Sequence, residues 1–447
     1  MRILFLSPGT GSFYCGSCMR DNALAIALRK RGHDAMLVPL YLAPTLDEES
    51  AAENAPLFYG GINVYLQQAS PIFRHTPRWI DRMFDSPGAL QAAAGRAGMT
   101  QARDLGALTV STLRGEDGNQ VKELERLTDW VAREGKPDVV CLSNALLLGL
   151  ARRIKRATGA VVACTLQGED TFLDALTEPY RTQAWNTLSE RARDVDALIA
   201  VSRYHADIMT RRAKLIPDKV HVIYNGILLD GYGPKPPLTA GQKPVLGYLA
   251  RMYAPKGLTT LVDAYILLRE RGRINHLQLH VAGAQTAADV PYVAQLQAKL
   301  DAAGYGRDVA FLPNLDRKEK VAFLRGLSVL SVPATYGESF GLYVLEALAA
   351  GVPVVQPRHA VFPELLEQTG GGVLCEPNDP AALADAVENL LRDPTAALAL
   401  GEAGRRTVNE RFSVETMAQH VEQVFVTANP KRETSTIYSG ISGKDGE

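Results

Sequence analysis

The sequence lacks a charge imbalance, a rich set of cysteines and a long uninterrupted apolar run, and each absence excludes a class of protein. It carries 48 Lys and Arg against 49 Asp and Glu, so the formal net charge of −1 gives no reason to expect a nucleic acid partner. Five cysteines among 447 residues do not make a disulfide framework, which favours a reducing, cytoplasmic setting. No run is long enough for a membrane-spanning helix, and the apolar start stops at Ser7-Pro8-Gly9, too soon for a signal peptide.

The sequence does contain a repeated alternation of strand-like and helix-like segments. Apolar residues 2–6, a glycine-rich loop and a helical repeat that ends at Arg31-Gly32-His33 predict the opening of a parallel α/β sheet. The Pro/Gly-rich residues 235–241 mark a boundary, after which the alternation restarts. We therefore predict an α/β protein of two domains with a cleft between them.

The predicted boundaries follow from this alternation. Residues 1–235 form the first domain and residues 243–412 the second. A last helix, 413–427, is expected to pack back on the first domain, and the polar residues 429–447 are predicted to be a disordered tail.

The region between residues 43 and 130 is less regular. Gly61 to Leu66 is predicted to be a short strand. Ile72 to Phe84 mixes aromatic residues with arginines and is interpreted as a partly buried helix, with a membrane-touching or acceptor-binding segment as the alternative. Asp194-Val195-Asp196 has the spacing of an Asp-x-Asp metal site but precedes a strand, so it is interpreted as a helix-to-strand turn.

Two carboxylates lie in one stretch that follows the strand-like residues 329–332. Glu338 precedes a predicted helix that Gly341 opens, and Glu346 lies inside that helix among apolar neighbours. The backbone N–H groups at the helix start would hold an anion, while the carboxylates would hold hydroxyl groups, and a sugar nucleotide offers both. The alternative is that Glu338 only caps the helix and Glu346 is a surface residue.

A second candidate element is a loop after the first strand of the second domain. It carries Arg251 and Lys256, and Gly257 opens the next helix. Two cations beside a helix N-terminus suit a pyrophosphate, whereas the alternative is a solvated basic loop.

In order and spacing, these motifs resemble the retaining glycosyltransferases of family 4, over residues 1 to about 425. The strongest part is the E-x7-E pattern of Glu338 and Glu346 with the following Gly351-Val352-Pro353. Arg251 with Lys256-Gly257 and the pair Val201-Ser202 also match. The resemblance implies the GT-B fold, in which two Rossmann-like, doubly wound domains face each other across a cleft.

The resemblance also implies roles for individual residues. Arg251 and Lys256 would hold the diphosphate and stabilise the leaving group without a metal ion or other cofactor. Glu346 would bind the ribose, and Glu338 would lie at the hydroxyls of the donor sugar. Further donor contacts would come from the glycine loop and the start of the helix, through Gly16, Ser339, Phe340, Gly341 and Leu342.

The sequence departs from the family at several positions. Gln167 occupies the place where a histidine is usual, and it is retained as a candidate catalytic residue. Cys15-Gly16 replaces paired glycines, and Gly283-Ala284 and Pro313-Asn314 each lack a usual glycine.

The segment from Cys15 to Cys18 follows a strand and opens a helix, which also allows a redox or metal role, although a tight loop near the acceptor is favoured. His359 lies in a loop from which it could approach the donor, although a turn residue is favoured. His205 follows a strand end, and the same two interpretations stay open for it.

The predicted function is transfer of a hexose from a nucleoside-diphosphate sugar, the co-substrate, to a hydroxyl group of a sugar, lipid or small-molecule acceptor, as in carbohydrate or cell-envelope biosynthesis. The alternatives are a catalytically inactive GT-B binding protein and another GT-B enzyme such as a phosphorylase or a sugar-nucleotide epimerase. The expected location is cytoplasmic, with or without peripheral contact to the inner face of a membrane. The nucleotide, the sugar, the acceptor and the oligomeric state are not determined by the sequence.

Overall fold

The computed structural model describes residues 1–9, 16–43, 46, 49–52, 58–59, 61–74, 76, 105–233 and 243–429. Within these residues, two sheets of six parallel strands each confirm the predicted α/β class. The strands of the first sheet are β1 (Arg2–Ser7), β2 (Asp34–Pro39), β3 (Val139–Leu142), β4 (Val161–Leu166), β5 (Ala197–Ala200) and β6 (Val220–Val222). Those of the second are β7 (Val245–Leu249), β8 (Gln278–Gly283), β9 (Val309–Pro313), β10 (Val329–Leu330), β11 (Val354–Pro357) and β12 (Gly372–Cys375).

Helices connect the strands and cover both faces of each sheet. In the first half of the chain they are α1 (Gly16–Lys30), α2 (Gly61–Ala69), α3 (Gly106–Arg114), α4 (Val121–Trp130), α5 (Ala151–Thr158), α6 (Glu169–Asp174), α7 (Tyr180–Arg191) and α8 (Arg203–Ala213). In the second half they are α9 (Leu258–Arg271), α10 (Val290–Ala302), α11 (Arg317–Gly326), α12 (Leu342–Ala349), α13 (Phe362–Thr369), α14 (Pro380–Arg392), α15 (Pro394–Arg411) and α16 (Val414–Thr427).

The strand order places a topological switch in each sheet. The first sheet runs β2-β1-β3-β4-β5-β6, and the second runs β12-β11-β10-β7-β8-β9. Chain order reverses at β1/β3 in the first sheet and at β7/β10 in the second. Ligands of open parallel sheets bind outside the carboxyl ends of the strands at such a switch. The loops that follow β7 and β10 carry Arg251, Lys256 and Glu338, so the topology brings the predicted donor residues together.

Apolar side chains pack on both faces of the first sheet and form one large core in the second domain. The last helix, α16, belongs to the core of the first sheet, because its Met417, Val421 and Phe425 are buried with Phe5 and Leu24. The ring centroids of Phe5 and Phe425 lie 6.4 Å apart. The chain therefore leaves the second domain after α15 and ends its described part against α1.

Some local predictions were wrong or fall outside the described residues. Gly61 to Leu66 is not a strand, because this segment lies within α2. Only the start of the predicted helix Ile72 to Phe84 is described, as a 3-10 turn at Pro71–Arg74. The predicted linker 235–241 lies outside the described residues, as does the tail beyond Asn429. Among the described residues, no helix has the length and low polarity that crossing a membrane requires.

Candidate active site

The carboxyl ends of strands from both sheets border a cavity of about 360 Å³. This volume lies within the range of small-molecule sites, about 300–1,000 Å³. All of the predicted site residues line it: Gly16, Gln167, Arg251, Lys256, Glu338, Ser339, Phe340, Gly341, Leu342 and Glu346. The structure thus brings the predicted residues to one place, while their roles stay predictions.

Glu338 is the most heavily bonded carboxylate of the cavity. Its Oε2 atom accepts hydrogen bonds from Lys256 Nζ, from the hydroxyl of Tyr336 at 3.1 Å and from the hydroxyl of Tyr343 at 3.1 Å. Burial alone would raise the pKa of Glu338, but the charge and hydrogen bond of Lys256 and the two phenols outweigh it and hold the pKa below its usual range. Glu338 is therefore an ionised carboxylate inside the protein rather than a simple helix cap.

Lys256 reaches Glu338 because a tight turn holds its loop against the segment that follows β10. Gly257 has a φ of +76°, and a Cβ at this position would lie 1.8 Å from the carbonyl oxygen of Pro333. Only glycine tolerates both the conformation and the approach. The ammonium of Lys256 also lies 5.1 Å and 5.3 Å from the ring centroids of Tyr336 and Tyr343.

Arg251 is held by a carboxylate that the sequence did not single out. Its Nε and Nη2 atoms lie 3.2 Å and 3.1 Å from the two carboxylate oxygens of Asp289, the N-cap residue of α10. A two-point contact of this kind fixes the plane of the guanidinium group. Asp289 is also anchored by the backbone N–H of Thr286 at 2.8 Å. The arginine is therefore presented to the cavity in a defined orientation.

Glu346 is also paired. Lys320 of α11 places its Nζ atom 2.9 Å from Glu346 Oε1, and both side chains are largely buried. Gly341, with a φ of +83°, is the N-cap of the helix α12 that carries Glu346, as predicted for the glycine at the helix start. The surface alternative for Glu346 is wrong, because this carboxylate lines the cavity beside a cation.

The wall formed by the first domain is made of neutral groups. Gln167 donates from Nε2 to the carbonyl oxygen of Ser143 at 2.7 Å, which fixes its amide plane. Gly16 and Ser17, at the start of α1, and Asn225 also line the cavity. The cleft face opposite the ion pairs therefore offers amides, a hydroxyl and backbone.

Charged groups of the first domain lie behind this wall. Glu169 accepts hydrogen bonds from the backbone N–H groups of Ala145 at 2.7 Å, Gln167 at 2.8 Å and Gly168 at 3.0 Å. Its Oε2 atom is 3.3 Å from Nε2 of His205, which is completely buried. Burial alone would raise the pKa of Glu169, but His205 and the backbone donors outweigh it and hold the pKa below its usual range. Glu169 therefore holds the loop that presents Gln167.

A second buried pair lies beneath the start of α1. Arg20 Nη1 is 2.7 Å from Asp21 Oδ1, and neither side chain is exposed. Arg20 Nε also donates to Oδ1 of Asn225 at 3.2 Å, and Nη1 lies 3.4 Å from Oγ1 of Thr165. Asn225, which lines the cavity, is thus held by a buried arginine.

The two domains contact each other directly at the site. The hydroxyl of Ser202 donates to the carbonyl oxygen of Ser339 at 2.7 Å, and the hydroxyl of Ser339 lies 3.3 Å from the carbonyl oxygen of Gln167. Nearby, the carboxylate of Glu364 accepts from the backbone N–H groups of Arg203 and Tyr204 at 2.8 Å and 2.9 Å. A residue of the second domain therefore caps the start of α8 in the first.

The other sequence candidates lie away from the chemistry of the cavity. Asp194 and Asp196 fall in the predicted turn before β5, where they pair with Arg152 and Lys155. Among the described residues, no group of three His, Cys, Asp or Glu is placed to hold a metal ion. Cys15 lies outside the described residues. The described cysteines form no disulfide with one another, and all of them are buried: Cys18, Cys141, Cys164 and Cys375.

His359 is a loop residue, as expected, and its Nε2 lies 2.8 Å from the carbonyl oxygen of Ala334. His205, for which two interpretations were open, lies in the helix that follows β5 and is buried against Glu169. Asp289 and Lys320 were not predicted, because each is one of many charged residues on surface helices and carries no local motif. A carboxylate at a helix N-cap, as at Asp289, is the one signal that was available.

Solved structures with the same architecture identify the fold. Sucrose-phosphate synthase from Thermosynechococcus elongatus superimposes with a TM-score of 0.69 at 19% identity, covering 96% of this chain and 99% of that one. HepE from Anabaena, solved in complex with UDP, gives a TM-score of 0.63 at 17% identity, covering 96% and 100%. Two facing Rossmann-like domains with a cleft at their switch points are the GT-B fold of glycosyltransferases.

The sequence comparisons then give the family. The model of Glycosyltransferase Family 4 matches residues 22–230, and that of Glycosyl transferases group 1 matches residues 234–407. In succession they span most of the chain, and the chain belongs to the family 4 glycosyltransferases.

Individual relatives match this chain with low identity and over only part of their length. D-inositol 3-phosphate glycosyltransferase of Corynebacterium jeikeium is 30% identical over 42% of this chain and 44% of its own length. The enzyme of the same name from Xylanimonas cellulosilytica is 30% identical over 53% and 58%. The human alpha-1,3/1,6-mannosyltransferase ALG2 is 27% identical over 65% and 73%. The matches to the two bacterial enzymes thus span about half of their length.

Proposed function

We propose that this glycosyltransferase moves a hexose from a nucleoside-diphosphate sugar to a hydroxyl acceptor with retention of anomeric configuration. The observation that carries the proposal is the cluster of Arg251, Lys256 and Lys320 beside Glu338 and Glu346 around one cavity. Cations suit a diphosphate, and carboxylates suit the hydroxyls of ribose and sugar. The similarity of this chain to sucrose-phosphate synthase and to HepE, which was solved with UDP, supports a nucleotide-sugar donor.

The cations carry the main chemical task in this proposal. Breaking a bond between a sugar and a phosphate leaves negative charge on the departing diphosphate, so its stabilisation lowers the barrier. Arg251 is already oriented by Asp289. Lys256 exchanges its contact with Glu338 for a phosphate oxygen. The step needs no metal ion in this proposal, because Arg251, Lys256 and the N–H groups at the start of α12 supply the positive potential.

The remaining groups orient the donor. Glu346 accepts the ribose hydroxyls, and Lys320 holds its other carboxylate oxygen. Glu338 accepts a hydroxyl of the transferred sugar. Retention follows if the acceptor hydroxyl attacks from the side of the leaving group, whose phosphate oxygen then takes the proton. Gln167, on the opposite wall, contacts the sugar during this step.

The acceptor is expected on the first-domain side, from residues 9–20 and 43–130. HepE from Anabaena was solved with UDP and with UDP-glucose, which makes UDP-sugars the first donors to test. The matched relatives carry names with different acceptors, so the acceptor class stays open. Peripheral contact of the chain with a membrane also stays a prediction.

The test is the thermal unfolding midpoint with UDP, GDP, ADP or TDP at millimolar concentration. A ligand that binds only the folded protein stabilises it by mass action and so raises the midpoint. At a ligand concentration of 100 Kd, the unfolding free energy increases by about 2.7 kcal/mol. No shift with any of the four would overturn the donor site. Glu338→Gln should then suppress sugar transfer and donor hydrolysis, and full activity in that variant would remove Glu338 from the site.

A further inference from the structure

Among the described residues, the hydrogen bonds to the carboxylate of Glu338 fall on one of its two oxygens. The contacts from Lys256, Tyr336 and Tyr343 all fall on Oε2, and none of them falls on Oε1. Tyr336 lies two residues before Glu338, whereas Tyr343 lies in the first turn of α12. Two phenols and one ammonium thus converge on a single oxygen of a residue that is 8% exposed.

The phenols act as hydrogen-bond donors. Burial, followed by the nearby charge of Glu338, raises the pKa of Tyr343 well above its ordinary value and raises that of Tyr336 as well. Both hydroxyls therefore keep their protons over the working pH range, and an ionised carboxylate is the acceptor that suits them.

Space for Tyr343 is built into the turn before it. A Cβ at Gly341 would lie 3.3 Å from Cζ of Tyr343 and 3.5 Å from its hydroxyl oxygen. Gly341 also has a φ of +83°. The absence of a side chain at this turn lets the ring of Tyr343 reach back across the helix start to Glu338.

The phenols matter most when Lys256 changes partner. In the proposed reaction the ammonium of Lys256 turns to the diphosphate, which removes the closest cation from Glu338. A buried carboxylate without donors would take up a proton and lose its ability to accept a hydroxyl. The two phenols are neutral and do not compete for phosphate, so they remain on Oε2 after Lys256 has moved.

We propose that Tyr343 and Tyr336 are positioning residues of the donor site, which hold Glu338 by Oε2 and leave Oε1 for a hydroxyl of the donor sugar. This inference rests on the proposed function. Among the described residues, the titratable groups that face Glu338 include Lys256, the two phenols and Tyr248, whose own pKa is raised in part by Glu338. Of these, only Tyr336 and Tyr343 offer neutral donors to Oε2.

The test compares wild-type protein with Tyr343→Phe, Tyr336→Phe and the double variant. The matched control is Tyr292→Phe, which removes a hydroxyl in the same domain whose partner is Oγ1 of Thr259, at 2.8 Å, rather than Glu338. Calorimetry measures the Kd for UDP, GDP and ADP and for UDP-glucose, GDP-mannose and ADP-glucose. The two phenols come from different elements, so either single variant carries the test if the other fails to fold.

We expect each nucleoside diphosphate to keep its wild-type affinity within about twofold, because Arg251 and Lys256 are unchanged. The affinity for the matching nucleotide sugar should fall about tenfold in the double variant, the order of a lost hydrogen bond to a charged group. The pH dependence is the second readout. Loss of the phenol hydroxyls raises the pKa of Glu338. When the pH is lowered, the affinity of the double variant for the nucleotide sugar should therefore begin to decline at a higher pH than that of wild type or Tyr292→Phe.

The outcomes separate the two claims. Wild-type protein that binds none of the six ligands overturns the proposed function and this inference with it. A second outcome overturns the positioning role alone. In it, the wild-type protein binds the ligands, and the double variant keeps both the wild-type ratio of nucleotide-sugar to nucleotide affinity and the wild-type pH dependence. An equal loss of affinity for both ligand types also overturns it, since that result indicates general damage to the cavity.

Discussion

The cleft has a first wall, formed by the first domain, and a second wall, formed by the second domain. The two walls use charge in opposite ways. In the second domain, the charged groups face the cavity and are paired there, as Lys256 with Glu338 and Lys320 with Glu346. In the first domain, the charged pairs Arg20–Asp21 and Glu169–His205 lie behind the wall, and Gln167 faces the cleft.

This difference separates two tasks. Paired charges at the surface of the cavity can exchange partners when a charged ligand enters, so the second domain is suited to bind and release a diphosphate. Buried pairs cannot exchange in this way, because a charge left alone inside a protein is costly. They fix the backbone of the first domain, so that its neutral groups keep a constant position at the cleft.

The largest effect should come from removing a cation of the second wall. Lys256→Met should lower the rate of transfer or donor hydrolysis by about 10²–10³-fold, the loss typical of one group that stabilises developing negative charge. The control is Lys299→Met, which removes a lysine of the same domain that pairs with Asp263 at the surface. Equal rates in the two variants would show that Lys256 does not serve the leaving group.

The first wall should respond in stability. Glu169→Gln removes a charge that accepts three backbone N–H groups, and we expect it to cost about 1.5–3 kcal/mol of unfolding free energy. Urea denaturation at neutral pH measures the loss. Glu125→Gln, which changes a half-exposed carboxylate 3.9 Å from Arg153, should cost far less.

The same variant has a defined pH dependence. Because the pKa of Glu169 is lowered in the folded protein, its contribution is present above the pKa of an unfolded glutamate and is lost as the pH falls through the folded value. The stability gap between wild type and Glu169→Gln should therefore be full at neutral pH and narrow on acidification below the ordinary glutamate range. A gap that widens there would contradict the role of Glu169 as an ionised acceptor.

A smaller effect is expected at the surface of the first wall. Gln167→Ala should lower turnover about tenfold, as one lost hydrogen bond in the transition state would, with unchanged affinity for nucleoside diphosphates. The affinity is unaffected because the cations lie on the other domain. Steady-state kinetics beside calorimetry measure the two quantities, and a loss of nucleotide affinity would instead place Gln167 in the diphosphate site.

The smallest effect should come from the contact between the walls. Glu364→Ala removes the cap that the second domain gives to α8, which should cost about 0.5–2 kcal/mol of unfolding free energy. The exposed Glu367 of the same helix gives the control variant Glu367→Ala. A double-mutant cycle with Ser202→Ala tests whether the two interdomain contacts act together. If the losses of unfolding free energy in the two single variants add up strictly in the double variant, the two contacts act independently of each other.

Much of the second wall could be predicted from the sequence, because its residues lie in short local motifs. Glu338, Gly341 and Glu346 belong to one turn and helix, and Arg251 and Lys256 to one loop. Their partners could not be predicted, since Asp289 and Lys320 meet Arg251 and Glu346 only through the packing of α10 and α11 on the second sheet.

The first wall was harder to predict for a different physical reason. Glu169 and His205 come from two separate helices, α6 and α8, and meet only when the sheet is formed. Arg20 of α1 likewise reaches Asn225 only in the folded chain. Their spacing along the chain has no regular period, so a polar residue there is indistinguishable from a surface residue. The failed strand at Gly61 to Leu66 is similar: β-branched and aromatic residues favour a strand locally, while packing in the folded chain makes it part of α2.

The return of the chain to the first domain has a mechanical consequence. Ile227, after the last strand of the first sheet, and Ser413, before α16, form an isolated parallel bridge. Their segments are joined by hydrogen bonds from Ile227 N to Phe412 O at 2.9 Å and from Val414 N to Ile227 O at 3.0 Å. The described segment that leaves the first sheet and the segment that returns to it therefore lie side by side at this bridge. We therefore expect the cleft to open or narrow by rotation of one domain about an axis through this bridge, because such a rotation stretches neither segment.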